Sequence, residues 1–338
     1  MRAVFRNEKY FKDYINVLQS ILEKNKNSIL NDETKNKRMK VRNCLYKEQI
    51  LIASYSLGTS INEIQNLYSD TVSAICENWD TEIVKFRMGS EILDQLYVYH
   101  HDSILRLISI GVLIDAIDEL RELKNKLASL KITNRLFDKM ISYHIPNHGI
   151  TSETNSYCPT AFNKIEKLAF NETINEKSLV NFQKNWYSTL NKNYFQWKDT
   201  HLNRGNAYFG YWSFAVAAIA KINSIKSDKL FENIFFPTDM YMNTNSNYQY
   251  QLSGELKLLI RIDELICKMG GVRRSTNEIL SLRKEILKMK KPKLENIESK
   301  VNAYIQWTKK YNHEMPIEET RSFIDKIKTE LLELKNSR

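Results

Sequence analysis

The histidine, cysteine and carboxylate side chains of this 338-residue chain are where it could ligate a metal or transfer a proton. His144 and His148 are four residues apart, which is the spacing of a metal-binding pair on a helix. Pro146 lies between them, however, and Ile145 stands where the helix of a zinc protease has its glutamate. The pair therefore predicts a loop without a metal.

A second pair, His100 and His101, is followed directly by Asp102. Neighbouring residues on a helix point to different faces, so these two rings are not expected to converge on one metal or substrate. We expect a solvated or partly packed helix face at this position.

Four carboxylates have the spacing of a single helix face. Asp115, Asp118, Glu119 and Glu122 follow the pattern i, i+3, i+4 and i+7. Paired acids can perform general acid–base catalysis, but most such faces are simply solvated. Clustered carboxylates repel one another and destabilise a helix unless lysines or a partner offset them. We keep this face as a candidate binding surface.

The motifs and cysteines exclude most other chemistry. No phosphate-binding loop, GxSxG turn or GxGxxG turn occurs, and the cysteines form neither a CxxC motif nor a Cys/His cluster. The N-terminus shows no signal-peptide pattern, and the longest uncharged apolar segment, residues 207–220, is too short for a membrane helix. We expect a cytoplasmic protein that is not an enzyme, has no cofactor or metal and does not enter a membrane. The cysteines are Cys44, Cys76, Cys158 and Cys267.

The net charge of +10 is unevenly distributed. Residues 1–50 and 241–338 each carry +6, whereas residues 61–122 hold 12 acidic and 4 basic residues, a local charge of −8. Such a region could meet a basic partner. The candidate binding residues are Asp70, Glu77, Asp80, Asp94, Asp115, Asp118, Glu119 and Glu122.

The basic ends leave one alternative open, a helical protein associated with nucleic acid. The runs "KNKRMKVR" (35–42) and "KMKKPK" (288–293) are its strongest support. Neither run is interleaved with the aromatic residues on which a single-strand binder stacks bases. We therefore expect solvated helix faces there and no specific nucleic-acid partner.

These residues must be positioned by helices, because helical periodicity is nearly continuous and no strand pattern is evident. The sequence predicts an all-α multi-helix bundle in three parts: residues 1–143, 160–240 and 252–338. Ser60 with Glu63, and Ser275 with Glu278, have the spacing of capping boxes. The predicted helices cover residues 8–26, 33–57, 61–78, 89–108, 111–128, 132–143, 161–169, 175–197, 207–223, 227–234, 253–269, 276–291, 294–311 and 317–335.

The stretch "YFGYWSFAVAAIAK" (208–221) predicts the most enclosed of these helices. It carries four aromatic residues and a run of Ala and Val, with no charge from residue 207 to residue 220. Its tyrosine hydroxyls and its indole N–H need buried partners. Asp199 and His201, in the preceding turn, are the nearest candidates.

This part of the chain resembles the C-terminal domain of the PoNi immunity proteins. That family has a WY pair, a Trp and a His, then Y-x-GYW-x-F-E-A-A-A, and closes on Y/F-P-x-D. The N-terminal half is similar to the family's other domain through "LIASYSLGTSINEIQNLY" and "YHHDSILRLISIGVLID", and the resemblance covers about residues 5–240. The matching residues are Trp186, Tyr187, Trp197, His201, Tyr208, Gly210, Tyr211, Trp212, Phe214, Ala217, Ala218, Pro237 and Asp239.

The resemblance implies an immunity protein without enzymatic activity. Such proteins bind a cognate PoNe-type toxin, a DNase that is delivered between bacteria, and so protect the producer's own DNA. Three features depart from the pattern. Ala215 stands where relatives commonly have Glu, residues 241–338 lie outside the pattern, and the overall charge is basic. The extra C-terminal helices could add toxin contacts, cover a groove or pair two chains in a homodimer.

Overall fold

The structure is a computed structural model that describes residues 1–26, 28, 32–152, 159–205, 207–243, 250–288, 292–312 and 315–338. The prediction of an all-α fold is confirmed: the described residues form sixteen α-helices, two short 3-10 helices and a single two-stranded sheet.

The first half of the chain is largely as predicted. Asp32 caps the second helix, Gly58 ends it in a left-handed conformation, and Ser60 with Glu63 forms the predicted capping box at the third helix. The helices are α1 (Glu8–Lys26), α2 (Glu33–Leu57), α3 (Ile61–Asn78), α4 (Thr81–Val84), α5 (Val98–Leu113), α6 (Ile117–Ser129) and α7 (Arg135–Ile141).

A hairpin replaces the start of one predicted helix, so the expectation of no strands is wrong here. β1 (Lys85–Met88) pairs antiparallel with β2 (Glu91–Leu96), and α5 begins only at Val98. Gly89 at the turn has φ +65°, a left-handed conformation that favours glycine. A turn of this kind stops a helix and returns the chain on itself.

The second half contains five helices up to residue 242. Four more helices come after them, at the C-terminal end of the chain. Leu190 ends α9 in an extended conformation, seven residues before the predicted end. Thr276 caps α14, so the predicted capping box of Ser275 with Glu278 is wrong. The helices are α8 (Pro159–Ala169), α9 (Glu176–Thr189), α10 (Phe214–Ile222), α11 (Asp228–Phe231), α12 (Thr238–Met242), α13 (Gly254–Lys268), α14 (Asn277–Leu287), α15 (Leu294–Tyr311) and α16 (Ile317–Asn336).

Residues 207–213 are not helical, which corrects the predicted helix 207–223. Gly210 has φ +120°, and a Cβ on it would lie 2.1 Å from Ser56 Oγ. The backbone of this segment makes its hydrogen bonds elsewhere: Tyr208 N–H donates to Tyr10 OH, and Ser213 N–H donates to the carbonyl of Phe235. Only after residue 213 can the chain coil into α10, which packs against α5.

One apolar core connects all parts of the described chain. It takes buried side chains from α1 to α3, from α5 and α10, and from all four C-terminal helices. The first residues of the chain are part of it, because Arg2 is buried and its Nε donates to Asp239 Oδ2 at 2.5 Å. The Arg2 Nη1 atom also donates to the carbonyls of Tyr55 and Thr59. The N-terminus is thereby held against α2 and α12.

Candidate functional site

The GYW-x-F segment is buried and connects the two halves of the chain through hydrogen bonds and ring packing. Trp212 Nε1 donates to Ser56 Oγ at 2.9 Å, and the same Ser56 hydroxyl donates to the carbonyl of Phe209 at 2.8 Å. The Trp212 ring packs edge-on against Tyr55 with centroids 4.9 Å apart. These bonds leave no room for a side chain at Gly210. The segment therefore fixes α2 against the second half of the chain.

His201 lies at the centre of a buried polar network. Its Nδ1 is 2.7 Å from Tyr211 OH, and its Nε2 is 2.9 Å from Asp263 Oδ2. The Tyr211 hydroxyl accepts from the His201 backbone N–H, so it can donate to Nδ1, while Nε2–H donates to Asp263. Burial lowers the pKa of His201, against the opposing effect of Asp263. The ring is therefore a neutral bridge at physiological pH.

Arg283 closes the same network from α14. Its Nε lies 2.9 Å from Asp263 Oδ1, and its Nη1 lies 3.1 Å from Asp199 Oδ1. Asp199 in turn accepts from Tyr187 OH at 2.8 Å. The prediction that His201 and Asp199 would serve the polar groups of residues 208–221 is confirmed for His201 with Tyr211. Asp199 instead bonds to Tyr187, and the Trp212 indole donates to Ser56 Oγ. Each member of the network is bonded to at least one other member, so the network supports the fold.

Sequence reasoning missed Asp263 and Arg283, which belong to the C-terminal helices. Both side chains are buried, at 3% and 8% residue exposure. A signal was present: Asp263 interrupts the apolar run "LKLLIRIDELI" of α13 on its buried side, and a buried carboxylate requires a partner.

The three residues of the "HHD" stretch are buried, so the expected solvated or partly packed face is wrong. His100, His101 and Asp102 are 1%, 3% and 6% exposed, because α5 is covered by neighbouring elements. Burial lowers the pKa of both histidines to about 3, which keeps them neutral. His101 Nε2 lies 2.7 Å from Asn134 Nδ2 and accepts its hydrogen.

Asp102 belongs to a second buried cluster of charges. Arg106 lies between two carboxylates: its Nε donates to Glu48 Oε1 at 2.8 Å, and its Nη1 donates to Asp102. Trp197 Nε1 also donates to Asp102 Oδ2, at 2.8 Å. The cluster joins α2 and α5 to the family-pattern Trp197. Burial raises the pKa of Asp102, although Arg106 opposes the shift.

The other two candidate histidines lie in turns, as predicted. His148 Nε2 is 2.8 Å from Asp138 Oδ1, and His144 Nε2 is 3.3 Å from Asp115 Oδ1. The described part of the chain contains no group of three His, Cys, Asp or Glu side chains that could hold a metal. Cys158 lies outside the described residues.

The remaining family-pattern residues are parts of the core. Trp186 stacks on Trp197 with centroids 6.1 Å apart, and Tyr208 packs between the rings of Phe11 and Tyr211. Phe214 and Pro237 are buried, and Asp239 holds Arg2.

The eight acidic candidates divide into two groups. Four are in ion pairs within the chain: Asp80 with Lys37, Asp94 with Lys85, Asp115 with Lys221, and Asp118 with Arg121. Asp115 precedes α6 and has φ +58°, so the predicted helix face does not include it. Its carboxylate faces Lys221 and Asn243 instead.

The other four make no ion pair with any described residue: Asp70, Glu77, Glu119 and Glu122. We call them the acidic face. Asp70 and Glu77 lie on α3, which has no basic residue and packs against α6, the helix of Glu119 and Glu122. Burial raises the pKa of Tyr68 and of Cys76, and nearby carboxylates add to it: Glu119 and Glu122 at Tyr68, and Glu122 and Glu77 at Cys76. Lys126 opposes the shift at Cys76, whose carbonyl accepts from its Nζ.

The chain also has an open cleft of about 950 Å³. Its walls come from α2, α4, β1, α5 and residues 194–200, with Ala207 and Phe209, and it reaches Asp102 and Arg106 at its floor. A smaller cavity of about 390 Å³ is lined by the same two residues. Ala215 lines this smaller cavity, where its methyl group leaves space that a longer side chain would fill.

The comparisons with known proteins agree with this architecture. Protein PA2201 from Pseudomonas aeruginosa is a solved structure with a similar fold, at 17% identity and a TM-score of 0.54. The match covers 71% of this chain and 90% of that one. A search of the curated proteins gives no match. No helix in the described ranges is long and apolar enough to cross a membrane.

The family models match the chain in two adjoining parts. The N-terminal model of PoNe immunity proteins (PoNi) matches residues 2–132, and the C-terminal model matches residues 132–240. The four C-terminal helices lie beyond both models. The resemblance seen in the sequence is confirmed, and the chain belongs to the PoNi family of PoNe immunity proteins.

Proposed function

We propose that this immunity protein binds and neutralises a cognate DNase toxin in the cytoplasm, without catalysing a reaction itself. The observation that carries the proposal is the acidic face: Asp70, Glu77, Glu119 and Glu122 lie on two packed helices and have no ion-pair partner among the described residues. In a basic protein, a group of surface carboxylates without ion pairs to described residues is well explained by a basic partner.

A nuclease that acts on DNA must present a positively charged surface to the phosphate backbone. An acidic face can dock against such a surface and compete with DNA for it. Complementary charges of this kind mainly accelerate association and make it sensitive to salt, while a few buried anchors set the affinity. The family's description as PoNe immunity proteins supports a toxin partner, and the acidic face supports a toxin with a basic, DNA-binding surface.

The test is co-expression with a candidate PoNe-type toxin, for which the open reading frame next to this gene is the first to try. The wild-type protein should restore growth, form a complex with the toxin on gel filtration and stop plasmid cleavage by the purified toxin. Continued killing, with no complex, would contradict the immunity role for that toxin. If instead a complex forms and the toxin cleaves RNA or protein but not DNA, only the DNase assignment fails.

The alternative of a nucleic-acid-associated protein stays a prediction. The same purified protein should therefore be tested for an electrophoretic shift of generic DNA. A shift that weakens steeply with salt would favour that alternative. Gel filtration of the free protein decides whether it forms a homodimer.

A further inference from the structure

The large cleft combines a positively charged rim with aromatic walls. Arg38 and Arg42 are four residues apart on α2, and Arg87 lies on β1 across the cleft. All three side chains are exposed, and none makes an ion pair with a described residue. Among the described residues that line the rim, Glu82 is the one carboxylate, so the rim keeps a net positive charge.

The aromatic walls are already ordered. Tyr97 and Tyr99 stack with centroids 5.9 Å apart, and Trp197 and Phe209 line the opposite side beneath Arg106. His100 also lines the cleft, and its buried Nδ1 has no hydrogen-bond partner in the part of the chain that the structure describes. The cleft thus has the features of a preformed site: apolar surface and a few polar groups.

The floor has the opposite charge. Glu48 and Asp102 flank Arg106, so two carboxylates face one guanidinium. A nucleic acid carries a phosphate at every nucleotide, and single-strand binders follow that backbone with a continuous basic groove. This floor interrupts such a groove. A peptide can instead place acidic side chains at the rim and uncharged side chains deeper in the cleft.

We infer that this arginine cleft, defined by Arg38, Arg42 and Arg87 at its rim, binds an acidic peptide segment that the cognate toxin supplies. This inference rests on the proposed function for the source of the segment. The volume of about 950 Å³ accommodates several residues. The toxin would then be held at two places of opposite charge, its basic surface on the acidic face and an acidic segment in the arginine cleft.

The experiment uses the full chain and a short fluorescein-labelled peptide of alternating Glu and Tyr residues, followed by fluorescence anisotropy at low salt. The variant R38E/R42E/R87E should bind the peptide more than about tenfold more weakly than the wild type. The matched control is K257E/K309E/K328E, which reverses the same number of exposed charges on the C-terminal helices. The control should bind within about twofold of the wild type. Circular dichroism and the melting temperature confirm that both variants fold.

Two results would overturn the inference. Equal losses in both triple variants would mean that the peptide responds to net charge alone. Tighter binding of a labelled oligothymidylate, lost in R38E/R42E/R87E, would make the cleft a nucleic-acid site.

Toxin neutralisation separates this inference from the proposed function. If R38E/R42E/R87E neutralises the toxin fully and the peptide does not bind, the cleft inference fails and the immunity role stands. If the wild type binds the peptide through these arginines but does not neutralise the toxin, the peptide site stands and the proposed function fails.

Discussion

Asp263 of α13 lies 2.9 Å from the ring of His201, and both side chains are buried. One residue belongs to helices beyond the family models and the other to the family's own pattern. Arg283 of α14 binds the same carboxylate and also Asp199. The C-terminal helices are therefore joined to the family fold by a shared polar network and a shared core. Arg6 strengthens this junction, because its Nη2 donates to the carbonyl of His201 and contacts Cys267 Sγ.

The substitution Asp263→Asn should lower the free energy of unfolding by about 3–5 kcal/mol, because it leaves the Arg283 guanidinium buried without its main counter-charge. Urea denaturation measures the change. Asp13→Asn is the control, since Asp13 pairs with Lys9 at the surface and its loss should cost less than about 1 kcal/mol. Equal effects of the two substitutions would mean that the C-terminal helices are held by apolar packing alone.

Gly210→Ala should be strongly destabilising, by about 3 kcal/mol or more, because the new methyl group would collide with Ser56 Oγ in a conformation that disfavours other residues. Gly89→Ala provides the comparison. Gly89 also has a positive φ, but nothing lies within 4 Å of its Cβ position, so only the backbone cost of about 1–2 kcal/mol applies. Thermal unfolding of the two variants measures the difference. Equal melting temperatures would contradict the close packing at Ser56.

The buried histidines should make stability fall as the pH falls. An unfolded histidine binds a proton below about pH 6.5. In the folded protein His101 remains neutral until about pH 3. Between these values only the unfolded state binds the proton. Each such histidine therefore lowers the free energy of unfolding by about 1.4 kcal/mol for each unit by which the pH falls.

His101→Gln tests this dependence. The variant should have a shallower slope of unfolding free energy against pH between pH 6 and 4, by about 1.4 kcal/mol per pH unit. Urea unfolding at several pH values gives both slopes. Parallel curves for the variant and the wild type would show that His101 gains its proton without unfolding.

Reversing the charges of Glu119 and Glu122 to Lys should slow association with the toxin by about tenfold or more at low salt, and the difference should shrink at high salt. Neither residue has an intramolecular ion pair with a described residue, so the melting temperature should stay within a few degrees of the wild type. Stopped-flow or surface-plasmon-resonance kinetics measure the association rate. An unchanged rate would place the toxin interface elsewhere.

Within the same set of acidic candidates, charge reversal at Asp115 and charge reversal at Asp118 should affect stability differently. Reversal of Asp118 should lower stability only slightly, because its carboxylate is 87% exposed and its pair with Arg121 is a surface pair. Reversal of Asp115 should lower stability by about 1 kcal/mol, because it places a positive charge against Lys221. The two unfolding curves, compared with that of the wild type, decide the point.

The sequence alone was sufficient for the fold class, the family and most of the long helices. Apolar periodicity predicts α1, α3, α15 and α16, and local caps delimit α2 and α3, so these signals lie within each segment. The failure at residues 207–213 had a tertiary cause. Residues 207–213 are apolar enough for a helix, but their backbone groups bond to α1 and to the carbonyl of Phe235, and Gly210 fits against Ser56.

The candidate site also has features that the sequence predicts and features that only the tertiary structure decides. Composition located the acidic region, because charge can be counted along a chain. Only the tertiary structure showed that Lys37, Lys85 and Lys221 neutralise Asp80, Asp94 and Asp115. Asp118 pairs with Arg121 three residues further along the same helix, so that pair is local. The partners of the other three come from other elements, and burial likewise depends on the surrounding elements. For that reason the bond between His201 and Asp263, 62 residues apart, was decided by the tertiary structure.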